Sequence, residues 1–121
     1  VNLVKDLLLN KMPLHAMAHI TGGGLPENLP RCFPKGLNAF VDTTSWERPE
    51  IFKWLQEAGK IPETDLWNTF NLGIGFCLIV PHEVANDSIE ICRNNGFQAW
   101  TIGSIEEPEN LDDPAIIGLP L

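Results

Sequence analysis

The chain has 121 residues, with 16 acidic against 8 basic side chains and a formal charge of −8. That length fits one domain able to bury a real core, and a second full domain does not fit. The acidic balance leaves no basic field to gather nucleic acid or anionic lipid, so neither is expected as a partner.

Residues 2–10 carry Leu3, Val4, Leu7 and Leu8 at helical spacing, and Asn10 and Pro13 stop the helix they predict. Val1 stands where an initiator methionine is usual, and the apolar pattern opens midway, so the chain reads as a fragment. A strand follows over about 14–20, with Leu14, Ala16, Ala18 and Ile20 on one face. It runs into Thr21-Gly22-Gly23-Gly24, and Pro26 then suits the first turn of a short helix. Strand, glycine loop and helix start form an anion site, because successive backbone N–H groups attract phosphate without a charged side chain. A tight turn that only lets the helix pack on the sheet is the competing structural reading.

Pro34-Lys35-Gly36 is a turn, and Asn38–Thr44 alternates as a second strand with Asp42 and Thr44 on its polar face. From Pro49 to Ala58 the residues Ile51, Trp54, Leu55 and Ala58 fall at i, i+3, i+4 and i+7, which predicts a helix closed by Gly59. A shorter helix follows over 62–70, and both Trp54 and Trp67 are expected in the core. Phe76–Val80 is a continuous apolar run, as in a central strand covered on both faces. Residues 83–95 make an amphipathic helix with Ala85, Ile89 and Cys92 inward, and Phe97–Ile105 returns as a strand. The stretch 107–121 is acidic, proline-rich and aperiodic, and is expected to be loop or a disordered tail. Together these predict an α/β (α+β) domain, a mixed sheet of about four or more strands with helices packed on it.

Cys32, Cys77 and Cys92 are odd in number and lie at no metal spacing, so a reducing compartment is expected. With no signal-peptide pattern and no apolar run near the ~18 residues of a membrane span, the expectation is a cytoplasmic protein. Asn86-Asp87-Ser88 matches a glycosylation acceptor, which has no meaning in that compartment.

A second glycine segment, Asn71-Leu72-Gly73-Ile74-Gly75, follows a helix and leads into a strand, the reverse of the order that nucleotide-binding motifs need. It reads as a loop allowing close backbone approach to a ligand or to the first glycine loop; a helix cap with a strand bulge is the alternative. His15 and His19 share a strand face but stand roughly 13 Å apart at ~3.3 Å per residue, too far for one metal ion. His19, just before the loop, is instead a candidate acid, base or hydrogen-bonding group near neutral pH, and otherwise a structural histidine. No nucleophile elbow, Walker lysine or carboxylate pair for magnesium stands out.

The strings MAHITGGGLPENLPR (Met17 to Arg31), SWERPEIFKWLQEAGKIPETDLWNTFNLGIGFCLIVP (Ser45 to Pro81) and GFQAWTIGSIE (Gly96 to Glu106) closely resemble one family. It is the C-terminal domain of the phosphoribosylformylglycinamidine cyclo-ligases, or aminoimidazole ribonucleotide synthetases, and the similarity runs from about Leu3 to Glu106. The resemblance implies one domain of a two-domain purine-biosynthesis enzyme that uses ATP to close the ring of formylglycinamidine ribonucleotide. ATP and magnesium would be held mainly by an N-terminal domain absent from this chain, with none in the fragment itself, and the enzyme would be a homodimer. His19 would have the catalytic role. Thr21, Gly22, Gly23, Gly24, Asn28 and Arg31 would contact substrate or phosphate, and Asn71, Gly73 and Gly75 would line the cleft. After Glu106 the chain departs from the family's usual final strand. Two alternatives stay open: a non-catalytic anion-binding or interaction module, and a related ATP-dependent kinase or synthetase acting on another small molecule.

Overall fold

In the computed structural model, which describes residues 3, 5, 7, 13–108, 110 and 112–121, the strands divide between two sheets rather than forming one. The strands are β1 (Ala16–His19), β2 (Asn38–Val41), β3 (Phe76–Ile79), β4 (Gly103–Glu106) and β5 (Ile116–Ile117). The described helices are α1 (Gly24–Asn28), α2 (Glu50–Gly59), α3 (Glu63–Thr69) and α4 (Ala85–Asn94), with 3-10 turns at Leu29–Cys32 and His82–Val84. β1 pairs with β3, while β2 is the middle strand of the other sheet, antiparallel to β4 and parallel to β5. The fold is therefore α+β with mixed pairing, as the sequence predicts.

The chain groups into two compact units, Val1–Met17 with Leu78–Thr101, and Ala18–Cys77 with Ile102–Leu121. In the first, α4 buries Ser88 and Cys92 while Ala85 and Ile89 are half-buried. The Ser88 hydroxyl donates back to the Val84 carbonyl at 2.8 Å, which lets a polar side chain lie inside without an orphaned group. Leu3, Lys5 and Leu7 are helical and Leu7 is fully buried; the rest of the helix expected over 2–10 lies outside the described residues.

In the second unit the strands are shorter than apolar alternation suggests, because each ends where its partner ends. β2 stops at Val41: Asp42 Oδ1 accepts the Thr44 N–H at 2.9 Å and its hydroxyl at 2.6 Å, turning the chain where a strand was expected to continue. These bonds also hold the Asp42 carboxyl below the usual carboxylate range. The register Asn38↔Glu106 to Val41↔Gly103 then limits β4 to four residues, so Phe97–Ile102, expected in that strand, lies outside it. The expected loop or tail contributes β5, whose Ile116 is buried beside Ala39.

Two further expectations are corrected. Phe76, at the start of the run expected to be central and doubly covered, is 43% exposed, and among the described residues β3 pairs with β1 alone, so the strand is not central. On α2 the predicted inward stripe is mostly turned out: Trp54 is 62% exposed, Ile51 and Ala58 are also exposed, and Leu55 alone of the four is half-buried. The helix docks instead through Phe52, whose ring lies 5.8 Å from that of Phe70, and through Gln56, which bonds the Ile61 carbonyl and Glu63. Trp67 is in the core as expected, edge-on to Trp46 at 5.9 Å.

Candidate functional site

β1 delivers His19 and Ile20 to the glycine loop. Ile20 is buried and its N–H donates to the Gly75 carbonyl at 2.9 Å, so the second glycine segment lies against the start of the first. Of the readings of Gly73–Gly75 left open by spacing, Gly75 meets the residue just before the first glycine loop through this bond, while the close approach at Gly73 (φ 104°) is to Pro49, whose Cδ would lie 2.7 Å from a Cβ there. The loop closes as a turn, with the Gly24 N–H donating to the Thr21 carbonyl at 3.1 Å and Gly23 in the left-handed region at φ 92°. Gly24 (φ 64°) begins α1, and a Cβ there would lie 2.5 Å from the Trp67 carbonyl oxygen and 2.6 Å from that of Phe70. The third glycine is therefore required by packing on the end of α3. Gly22 has open space around it and is exposed.

α1 is only five residues long before the backbone tightens into the 3-10 turn. So few aligned peptides sum to a small dipole, so the expected pull of a helix end on an anion is weak here. Asn28 lies under the loop, its Nδ2 donating to the carbonyls of Gly24 (2.8 Å), Thr21 (3.2 Å) and Gly22 (3.3 Å). The Thr21 hydroxyl donates to Asn28 Oδ1 at 3.2 Å. Arg31 is exposed and pairs with Glu27 at 3.0 Å, a contact weak enough in water to be exchanged for another anion. His19 is exposed at the end of β1, its ring 6.3 Å from that of Phe76.

The second glycine segment is a turn in which Asn71 Oδ1 accepts the Gly73 N–H at 2.9 Å and the Asn71 carbonyl accepts the Ile74 N–H at 3.0 Å. Leu72 is fully buried at φ 51°, an unusual conformation for a branched side chain, and Trp46 Nε1 donates to its carbonyl at 3.0 Å. The structure thus brings His19, Thr21, Gly22, Gly23, Gly24, Asn28 and Gly75 into one neighbourhood, while Asn71 and Gly73 are engaged in their own turn.

A polar cluster behind that turn escapes sequence reasoning. Arg48 forms a two-pronged ion pair with Glu63, with its guanidinium 5.5 Å from the Trp67 ring centroid. Glu63 also accepts from Gln56 Nε2 at 2.6 Å and from Trp67 Nε1 at 3.0 Å. Only the Glu63–Trp67 spacing of four was visible beforehand; Arg48 and Gln56 join through the tertiary fold. The Arg48 hydrogen bond, outweighing the cost of burial and aided by Gln56 and Trp67, lowers the Glu63 pKa from 4.5 to about 2. A depressed carboxylate pKa adds stability above the unfolded value that is lost as pH falls through the folded one. Stability is accordingly expected to drop between pH 4.5 and about 2. Because the Glu63 side chain is 42% exposed, screening limits the loss to about 1 kcal/mol or less. Urea midpoints measured across that range should fall less steeply in Glu63→Gln than in the parent.

All three cysteines are free thiols, and burial, with Cys32 adding to it, pushes Cys77 up to about 12. Among the described residues no three His, Cys, Asp or Glu side chains gather as metal ligands. No described helix is long and apolar enough to cross a membrane.

An α+β fold with a glycine loop clamped between a strand and a short helix, beside a second glycine turn, defines the class of protein. The chain belongs to the AIR synthase related protein, C-terminal domain family, whose model matches residues 2–112. It is 58% identical over 118 residues to a phosphoribosylformylglycinamidine cyclo-ligase of Prochlorococcus marinus (strain MIT 9313), covering 98% of this chain and 34% of that protein. The enzyme of the same name from strain NATL1A is 59% identical over 121 residues, covering 99% of this chain and 35% of its own length. That of Parasynechococcus marenigrum (strain WH8102) is 60% identical over 119 residues, covering 98% and 34%. The chain spans about a third of the length of these relatives.

Proposed function

We propose that this chain is the C-terminal domain of a cytoplasmic, homodimeric phosphoribosylformylglycinamidine cyclo-ligase that makes aminoimidazole ribonucleotide in purine biosynthesis. The observation that carries this reading is 58–60% identity over nearly the whole chain to proteins of that name. ATP and magnesium would be held mainly by the N-terminal domain of the same protein; ATP would pass its γ-phosphoryl group to the formyl oxygen, leaving ADP, and an amidine nitrogen would then attack that carbon, lose its proton and expel inorganic phosphate as the ring closes.

The contribution of this chain is to bind and orient the ribonucleotide. The backbone N–H groups of Gly22 and Gly23 take the phosphate, and the Arg31 guanidinium, exchanging its exposed pair with Glu27 for the ligand, neutralises charge on it. Thr21, Gly24 and Asn28 complete the loop, and Asn71, Gly73 and Gly75 form the wall beside it. His19, at the mouth of the loop, holds or moves a proton at its imidazole. The test is turnover of formylglycinamidine ribonucleotide by the full-length enzyme. His19→Ala and Arg31→Ala are each expected to lower kcat/KM at least about tenfold, on the scale of a lost acid–base or charge-assisted contact. Parent rates in both variants would remove the site assignment.

A further inference from the structure

Resting on the reading above, we infer that Asn28 is a positioning residue that sets the shape of the glycine loop, and is not itself a contact to the ribonucleotide. Its residue is 6% exposed. A primary amide has two N–H donors, and here they are shared among the carbonyls of Thr21, Gly22 and Gly24, with none left for a ligand. The amide oxygen is engaged too, taking the Thr21 hydroxyl on one of its two acceptor positions. The three carbonyls can only accept, so they fix which end of the amide faces them.

The consequence lies on the other side of the loop. In a trans peptide the carbonyl of one residue and the N–H of the next point in opposite directions. Drawing the Thr21 and Gly22 carbonyls onto Asn28 turns the N–H groups of Gly22 and Gly23 away from it, on the side where Gly22 is exposed. The buried amide thereby selects the backbone donors that the loop presents, and the Thr21 hydroxyl holds the amide in place from its oxygen end. A polar side chain that touches substrate would instead keep a donor or acceptor unpaired until substrate arrives.

The experiment uses the full-length enzyme with Asn28→Asp, which keeps the shape and removes both N–H donors, and with Thr21→Val and Thr21→Ser. Amide hydrogen exchange at Gly24, whose N–H closes the loop on Thr21, is read without substrate, and turnover is read with formylglycinamidine ribonucleotide and ATP. In Asn28→Asp the Gly24 amide is expected to exchange at least tenfold faster and kcat/KM to fall at least tenfold. Thr21→Val should follow in both readouts, and Thr21→Ser, which restores the hydroxyl, should return both to within threefold of the parent. Unchanged exchange with a rise in KM alone would overturn the inference in favour of a direct contact. So would faster exchange with parent turnover. If Asn28→Asp does not fold, the two Thr21 variants decide on the same readouts. A parent enzyme inactive on this substrate would overturn the functional reading instead, while the exchange data still report whether the amide holds the loop.

Discussion

Gly24→Ala is expected to lose about 2–5 kcal/mol of stability, whereas Gly22→Ala should change it by less than about 0.5 kcal/mol. The two sites are neighbours in one glycine run, but the added methyl group meets different surroundings. At Gly24 a Cβ would stand 2.5 Å from the Trp67 carbonyl oxygen and 2.6 Å from that of Phe70. Both are backbone atoms at the end of α3, so neither moves without displacing the helix. The left-handed φ of 64° adds the cost that every L-residue other than glycine meets there. At Gly22 nothing lies within 4 Å of the added carbon. Urea midpoints of the two variants measure the difference. A Gly24→Ala protein as stable as its parent would show that the loop does not pack on α3 as described. A Gly22→Ala protein that is stable but impaired in turnover would separate the ligand role of the loop from its packing role.

Trp67→Ala is expected to cost about 3–5 kcal/mol and Trp54→Ala no more than about 0.5 kcal/mol, although helical spacing treats the two tryptophans alike. Trp67 is 3% exposed, packs edge-on against Trp46, lies under the Arg48 guanidinium and donates to Glu63. Truncation opens a cavity and removes one donor from a carboxylate that depends on several. Trp54 is 62% exposed on the outer side of α2, so its loss removes little buried contact. Thermal midpoints of the two variants decide the matter. A large loss at Trp54 would mean that its face is covered in the protein as it functions.

The location of the candidate site was legible in the sequence because it depends on chain-local chemistry. Three consecutive glycines after an alternating run require an irregular turn, and Pro26 three residues into α1 marks the helix start. The second glycine segment was recognisable as a place of close approach. Its partner was left open between a ligand and the first glycine loop, since the Ile20–Gly75 hydrogen bond joins residues 55 positions apart, and no local pattern records such a pairing. For the same reason the Arg48–Gln56–Glu63–Trp67 cluster was invisible except for its one helical pair.

By itself, then, the sequence determined the alternation of helices and strands, the α+β class, the glycine loop and the kinship carried by Met17–Arg31 and Ser45–Pro81. These are properties of short windows, where backbone preference and side-chain period act within a few residues. Only the tertiary structure decided that the strands split between two sheets, that α2 turns Trp54 outward, and that Gly24 answers to packing while Gly22 stays open. It also decided that the side chain of Asn28 is spent on the loop it underlies. Each outcome depends on atoms distant in sequence competing for the same space or the same hydrogen-bond donor, and that competition is settled only when the chain is folded.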